Sequence, residues 1–397
     1  MDTSKVINEK LSPVVDPSPD TLEEGIALCL SGGGYRAMMF HVGCLWRLNE
    51  AGLLGKLSRV SSVSGGSITA AVLGMNWEKL QFTSNGTSEH FGELLVKPIR
   101  KMASTTIDES SILGGIFLPG TISEHIAKHY KEILFGDATL QNLPDDTNLD
   151  KPAPRFVINA TNVQSGVLMR FSRPYIWDYK VGRILSPKLP LALAVTASSA
   201  FPPILSPCEI DLSDFGVRCL PVDGKEPLSF EPYISKLVLS DGGVYDNLGL
   251  ETAWKRYRTI LVSDGGGHYK PEPSPHHDWA RHAFRILDLI DSQVRALRTR
   301  QIMGLLELKE RLGSYWSIRQ DIGCFAGASP SLPCPEPQTR ALAEIPTRLK
   351  QMDENTQDCL INWGYAVCDA SLRSWYTNSL LAPAGFPYPT SGISGDV

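Results

Sequence analysis

Four serines and two adjacent glycines lie together in "SSVSGGSITA", residues 61–70, between a β-branched run and the start of a helical pattern. A serine nucleophile needs a sharp strand-to-helix turn with small neighbours, so that its hydroxyl stands clear of the backbone. Ser64 ends the predicted strand and precedes both glycines. The usual pattern is G-x-S-x-G, and here Ser62 stands at its first position and Gly66 at its last. Ser64 is therefore the predicted nucleophile, and the other serines are interpreted as strand and first-turn residues.

This serine needs a base, because a hydroxyl is a weak nucleophile until its proton is removed, and carboxylates are candidates. Two Asp-Gly-Gly segments place Asp241 and Asp264 at the ends of predicted strands. Residue spacing alone does not choose between them. The chain order Ser64, Asp241, His268 also suits a Ser-His-Asp triad. His268 lies in a Gly- and Pro-rich loop, where a histidine is more often solvated than catalytic.

A glycine loop, "SGGGYRA" (31–37), follows a short apolar strand and precedes a helical pattern. Its spacing matches a dinucleotide-binding fingerprint, but no Asp or Glu occurs over 51–77 to bind the ribose hydroxyls. A P-loop is excluded because no Gly-Lys-Ser/Thr follows. Successive glycine N–H groups at a helix N-terminus instead suit an oxyanion hole, which stabilises the charge on a carbonyl oxygen during acyl transfer.

These loops belong to a predicted alternation of strands and helices. The strand-like runs cover 25–30, 58–63, 155–161, 236–240 and 259–263. Such alternation indicates an α/β protein with a mainly parallel central sheet and helices on both faces, whose active site lies at the carboxyl ends of strands. The longest helical pattern, 279–312, is interpreted as a helix packed on its own domain rather than as a dimer seam.

The composition predicts a globular protein, since 42% of the 397 residues are apolar and 20% are charged. We expect one catalytic domain over 25–381, an N-terminal arm over 1–24 and a loosely held C-terminal tail over 382–397.

Charge and cysteine usage narrow the environment of the protein. A net charge of −5 does not indicate the clustered Lys and Arg that bind phosphates, so nucleic acid is not an expected partner. Eight scattered cysteines without a CxxC pair fit reduced thiols. No secretory signal or membrane-length apolar run is recognised, so we expect a cytoplasmic protein.

Three blocks taken together, "CLSGGGYRAMMFHVG", "SVSGGS" and "LSDGGVYDNLG", resemble the patatin-like phospholipases, especially bacterial members similar to the cytosolic phospholipases of animals. "TASSAFPPILSP" (196–207) looks like a further family block. The resemblance spans roughly residues 26–250. It implies a patatin-type three-layer fold and a Ser-Asp dyad, with no histidine, metal or cofactor in the chemical step.

The family's site residues carry over by motif. Ser64 is then the nucleophile and Asp241 the base, preferred over Asp264 because "DGGVYDN" continues the family block. The oxyanion loop is then formed by Gly32, Gly33 and Gly34. Arg36 matches an arginine associated in the family with the lipid phosphate or the oxyanion.

The expected function is hydrolysis of acyl esters of glycerophospholipids, by peripheral action at a membrane surface. Gating by a ligand or an assembly event is a further expectation, because such a lipase would damage its host's membranes, and the oligomeric state stays open. The glycine-rich apolar segment 110–122 fits a lid or interfacial contact and equally fits core burial. Two rivals remain: a Ser-His-Asp esterase acting on soluble esters, and a catalytically silent ligand-binding protein with the same fold.

Overall fold

The computed structural model describes residues 21–107, 121–222, 224 and 226–393, and the strands of these residues form one mixed sheet. In chain order they are β1 Glu23–Leu30, β2 Leu57–Ser62, β3 Arg155–Asn162, β4 Val167–Phe171, β5 Tyr175–Asp178, β6 Gly182–Leu185, β7 Cys208–Asp211, β8 Lys236–Asp241, β9 Tyr257–Asp264 and β10 Leu312–Ser317. The α-helices are α1 Gly34–Glu50, α2 Gly65–Met75, α3 Lys97–Ala103, α4 Ile122–Tyr130, α5 Leu191–Ser198, α6 Gly243–Asp246, α7 Glu251–Trp254, α8 Trp279–Glu307, α9 Glu336–Glu344 and α10 Glu354–Ser371.

Five strands form the parallel part of the sheet, in the order β10, β9, β1, β2, β3. Both β1 and β2 lead through a short glycine-containing turn into a helix. Because the two strands are adjacent and parallel, their turns open at the same edge of the sheet. The predicted α/β sheet is confirmed in this part.

An antiparallel extension, which the sequence did not predict, follows β3. Strands β4, β5 and β6 continue from β3 as a meander. Strand β8 runs antiparallel to β3 beyond the point where β2 has ended: Ser62 of β2 pairs with Ile158, and Asp241 of β8 pairs with Ala160. Strands β2 and β8 therefore approach end to end along β3, separated by about 7 Å at a strand rise of 3.3 Å per residue.

Alternation along β1 separates two apolar cores, one on each face of the sheet. Leu28 and Leu30 belong to a core that includes buried residues of α1, α2 and α10, whereas Ala27 and Cys29 belong to a core with α7 and Ile302 of α8. Successive side chains of a strand point to opposite faces. The three-layer arrangement with helices on both faces follows from this alternation.

Helix α8 is the least buried long element. Only Ile302 and Leu306 of this helix are buried. Its exposed large apolar side chains are Trp279, Phe284, Ile286, Leu287, Leu289, Ile290 and Leu297. The helix ends at Glu307 rather than at 312, because Lys309 adopts a φ of 58° before the chain enters β10. The interpretation of a helix packed on its own domain thus holds only for its last turns.

The segment after residue 381 is bound to the body of the protein as far as residue 393. The buried Asn362 of α10 donates to the carbonyl oxygens of Tyr388 at 2.8 Å and Gly392 at 2.7 Å, and it accepts from the Tyr388 N–H at 3.0 Å. The Tyr388 ring packs edge-on against Trp46. The expectation of a loosely held tail is therefore wrong here. The partner of the backbone groups in this segment is the distant side chain of Asn362, and the composition of the segment itself does not indicate such a contact.

Two further expectations concern segments largely outside the described residues: the N-terminal arm 1–24 and the apolar segment 110–122. Among the helices that are described, none combines the length and apolarity needed to cross a membrane.

Candidate active site

Ser64 occupies the turn between β2 and α2 with φ 51° and ψ −121°, a backbone conformation that residues other than glycine seldom adopt. Its small neighbours permit the turn. A Cβ at Gly65 would lie 2.2 Å from the Gly34 carbonyl oxygen, and one at Gly66 would lie 2.5 Å from that of Leu30. The Ser64 N–H donates to Ser198 Oγ at 3.0 Å. Close packing and this hydrogen bond hold the strained turn in place.

The remaining serines of the cluster are buried parts of the scaffold around this turn. Ser61 Oγ donates to the Gly249 carbonyl at 2.6 Å. Ser67 Oγ lies 3.0 Å from Ser62 Oγ and 2.9 Å from Ser198 Oγ. Ser62, which stands where a glycine is usual, thus joins a hydroxyl network beneath the elbow. These contacts agree with their interpretation as strand and first-turn residues.

Asp241 lies at the end of β8 and faces the Ser64 hydroxyl. The carboxyl is only 2% exposed, and Oδ1 accepts from the Gly243 N–H at 2.7 Å. Burial raises the pKa of Asp241 to about 7, while hydrogen bonding from Gly243 and Ser64 opposes this rise. Oδ2 has no hydrogen-bond partner within the described part of the chain. A buried carboxylate with an open lone pair and a pKa near neutrality is suited to accept a proton.

Asp264 differs from Asp241 in that both of its carboxylate oxygens are engaged. Oδ1 accepts from the Gly266 N–H at 2.9 Å, and Oδ2 accepts from the Tyr315 hydroxyl at 2.8 Å. Asp241, together with Ser64, lines the large cleft, and Asp264 does not. The structure therefore separates two aspartates that residue spacing left equivalent.

The glycine loop places its backbone beside Ser64. Gly32, the first glycine of the predicted oxyanion loop, donates its N–H to the Asn247 carbonyl at 3.1 Å, so this N–H is not free to bind an oxyanion. Gly33 and Gly34 line the cleft with φ values of 143° and 62°, and the residues described provide no acceptor for their N–H groups. The N–H of Gly65 is likewise without an acceptor there, and this residue was missed by the sequence analysis. Its position directly after the candidate nucleophile is the signal that would have identified it.

The cleft has a volume of about 530 Å³ and a largely apolar wall. Its polar floor consists of Gly33, Gly34, Ser64, Asp241 and Asn247. The apolar lining residues include Ile107, Phe201, Leu205, Leu349 and, from α8, Phe284, Leu287, Ile290 and Val294. An apolar cleft with a small polar floor is suited to a ligand with a long apolar chain.

His268 also lines the cleft. Partial burial and the nearby charge of Arg319 hold its pKa below the usual value. Across the described residues, no hydrogen bond joins His268 to Ser64 or to Asp241.

Arg36 is not brought into the cleft. Its guanidinium is buried and donates to the Gly265 carbonyl at 3.1 Å, to Thr347 Oγ1 at 3.1 Å and to the Ile345 carbonyl. Burial and the charges of Arg319 and Arg295 lower the pKa of Arg36 to about 10. The expectation that Arg36 contacts substrate is therefore not supported, because protein oxygens take up its donors and tie the glycine loop to its surroundings.

The fold and the site together define a three-layer α/β protein with a serine at a strained strand-to-helix turn. The chain belongs to the patatin-like phospholipase family, whose model matches residues 28–254. The resemblance and the patatin-type fold inferred from the sequence are thereby confirmed. Among curated proteins, none matches the chain.

Several solved structures are similar in part. Human GIVD cytosolic phospholipase A2 in complex with methyl gamma-linolenyl fluorophosphonate has 13% identity and a TM-score of 0.47, covering 89% of this chain and 58% of that one. VipD from Legionella pneumophila has 14% identity and a TM-score of 0.31, covering 86% and 67%. Full-length ExoU from Pseudomonas aeruginosa has 20% identity and a TM-score of 0.23, covering 47% and 39%. The chain spans about half the length of the human structures it matches.

Proposed function

We propose that this protein is a lipid acyl hydrolase that cleaves fatty acyl esters of glycerophospholipids, with Ser64 as nucleophile and Asp241 as base. The observation that carries the proposal is the pairing, on the cleft floor, of a strained serine with a buried carboxylate whose pKa is raised to about 7. Family membership supports the lipid substrate class.

The first half of the reaction forms an acyl-enzyme. Asp241 takes the proton of the Ser64 hydroxyl as Oγ attacks the ester carbonyl. The N–H groups of Gly33, Gly34 and Gly65 stabilise the negative charge that develops on the carbonyl oxygen. The bond to the glycerol oxygen then breaks, and the leaving alcohol takes the proton from Asp241.

The second half releases the fatty acid. Water enters the cleft and gives a proton to Asp241 as its oxygen attacks the acyl carbon of the ester on Ser64. The bond to Ser64 Oγ breaks, and the proton returns from Asp241 to the serine. One carboxylate thus serves both halves, which is why a pKa near neutrality suits its role.

The apolar side chains of α8 extend this proposal to a lipid surface. Leu287 and Ile290 line the cleft, while Trp279 and Ile286 of the same helix are exposed beside it. Apolar side chains inside and outside the cleft on one helix offer the acyl chains of a bilayer lipid a route towards Ser64. We therefore infer that the protein acts peripherally at membranes, and its cytoplasmic location stays a prediction from the sequence.

The decisive experiment measures fatty-acid release from defined phospholipids. Ser64→Ala and Asp241→Asn are expected to lower kcat by about 10³-fold or more while the fold is retained. Ser213→Ala, at an exposed turn outside the cleft, is the matched control and keeps full activity. Robust activity of Asp241→Asn would overturn the dyad and direct attention to Asp264.

The rivals give different results in the same assay. A Ser-His-Asp esterase requires that His268→Ala abolish activity, whereas the dyad requires that this variant remain active. A catalytically silent protein releases no fatty acid from any phospholipid, and Ser64→Ala then changes nothing.

A further inference from the structure

Five basic side chains line the cleft, and their partners divide them into two groups. Lys270 is ion-paired with Glu344, and Arg285 is ion-paired with Glu272 at 3.0 Å. The pKa of His268 is lowered, mainly by burial. The remaining two, Arg295 and Arg348, have guanidinium groups that make no hydrogen bond to the described residues.

Arg295 reaches the cleft from α8. Its side chain is 12% exposed, and the described residues provide no hydrogen-bond acceptor for it. The closest carboxylate oxygens are Asp264 Oδ1 at 3.9 Å and Asp291 Oδ2 at 4.0 Å, both beyond hydrogen-bonding distance. A Cβ at Gly266 would lie 2.4 Å from Arg295 Nη1 and 3.1 Å from Asn247 Nδ2. The guanidinium therefore packs against the backbone at Gly266, and its N–H donors are still available.

Arg348 lies beside the glycine loop. Its carbonyl accepts from the Tyr35 N–H at 3.0 Å, and a Cβ at Gly34 would lie 2.6 Å from that oxygen. Arg348 lines the cleft and is exposed, and within the described ranges its side chain has no ion pair or hydrogen bond. Its backbone is thus fixed next to a proposed oxyanion donor, while its charge stays free.

The acidic residues around Arg295 lie at the outer limit of ion-pair distance and do not hydrogen-bond to it. Asp264 is already bound by the Gly266 N–H and the Tyr315 hydroxyl. Burial raises the pKa of Asp291, and the charge of Arg295 opposes this rise. No carboxylate among the described residues accepts two parallel hydrogen bonds from this guanidinium. It is therefore suited to bind two oxygens of an external anion.

We propose that Arg295 and Arg348 form a subsite for the phosphodiester group of a glycerophospholipid whose ester lies at Ser64. This proposal rests on the proposed function and names the residues that would recognise the phosphate of its glycerophospholipid substrate. It also assigns to these two residues the phosphate contact that the sequence analysis gave to Arg36, whose donors are used within the protein.

The test compares two substrates that share an acyl chain, a lysophosphatidylcholine and the corresponding monoacylglycerol. Arg295→Gln and Arg348→Gln are each expected to lower kcat/KM for the lysophospholipid about 10-fold or more, the effect of a lost charge-assisted hydrogen bond. Values for the monoacylglycerol should stay within about 2-fold. Arg300→Gln is the matched control, because Arg300 belongs to the same helix but does not line the cleft.

The outcomes separate the subsite from the proposed function. No hydrolysis of either substrate by the unaltered protein contradicts the proposed function itself. Equal losses on both substrates, or a preference of the unaltered protein for monoacylglycerol, overturn the subsite while leaving acyl hydrolysis intact. Strong inhibition of monoacylglycerol hydrolysis by inorganic phosphate, abolished in the double variant, would assign the arginines to free phosphate instead of a lipid. If Arg295→Gln unfolds, Arg295→Lys, which keeps the charge and loses the fork, and Arg348→Gln decide the question.

Discussion

Asp241 can act as a base only after losing its own proton, and burial raises the pKa of this carboxyl to about 7. We therefore expect kcat/KM for a soluble acyl ester to fall about tenfold per unit below pH 7 and to level off above it. A pH profile from 5 to 9 measures this directly. His268→Ala should leave the profile unchanged, which excludes the imidazole as the titrating group. Activity that is constant down to pH 5 would contradict the role of Asp241.

The same raised pKa makes a second prediction at this residue, for stability. Because the folded pKa of Asp241 lies above the ordinary value of 3.8 for an aspartate, its favourable contribution to stability is fully present below about pH 3.8 and is lost as the pH rises through 7. Asp241→Asn removes the cost of the buried charge, so this variant should be more stable than the unaltered protein at pH 8 by a few kcal/mol. Urea unfolding at pH 4.5 and pH 8 should give a difference that grows with pH, and a constant difference would refute the raised pKa.

At the scale of elements, the sequence predicted the two strand-turn-helix units of the site. It did not predict the direction of β8, the strand that carries Asp241. The glycine loop after β1 and Ser64 after β2 each combine a strand-length apolar run with turn residues, which local patterns encode. The direction of β8 depends on its pairing with Ala160, Thr161 and Asn162 of β3, and an apolar run is the same in either direction. The choice of Asp241 therefore depended on the family resemblance, whereas the substrate contact that the resemblance implied for Arg36 is not supported by its hydrogen bonds.

Helix α8 makes a prediction about membrane binding. Trp279 and Ile286 are exposed and do not line the cleft, so changing both to serine removes apolar surface without altering the site. We expect vesicle binding and phospholipid hydrolysis on vesicles to fall by roughly 30-fold or more, as burial of each of the two side chains contributes about 1 to 2 kcal/mol. Hydrolysis of a soluble ester should stay unchanged. Leu308→Ser is the control, because Leu308 lies just after the helix and its replacement removes less apolar surface than the double change. An equal loss of vesicle binding in that variant would refute the role of α8.

Considered as a whole molecule, the protein extends its sheet beyond residues 28–254, the part that the family model matches. Strand β9 pairs with β1, which leads into the glycine loop, and β10 pairs with β9. Helix α10 crosses α1 so closely that a Cβ at Gly364 would lie 2.0 Å from the Phe40 carbonyl oxygen. The C-terminal third thus supports the element that starts at the candidate oxyanion loop, a dependence that no local motif indicates.

The segment after residue 381 tests this dependence. A chain ending at Leu381 loses the three hydrogen bonds that Tyr388 and Gly392 make with the buried Asn362, as well as the burial of Ile393. We expect the free energy of unfolding to fall by roughly 4 to 6 kcal/mol, since each of the three lost bonds costs about 1 kcal/mol and the apolar side chain adds 1 to 3. Urea unfolding compares this variant with a chain ending at Ile393, which keeps every one of these contacts. Equal stability of the two truncated chains would mean that α10 holds its place without the terminal segment, and that the segment is the loose tail its composition suggested.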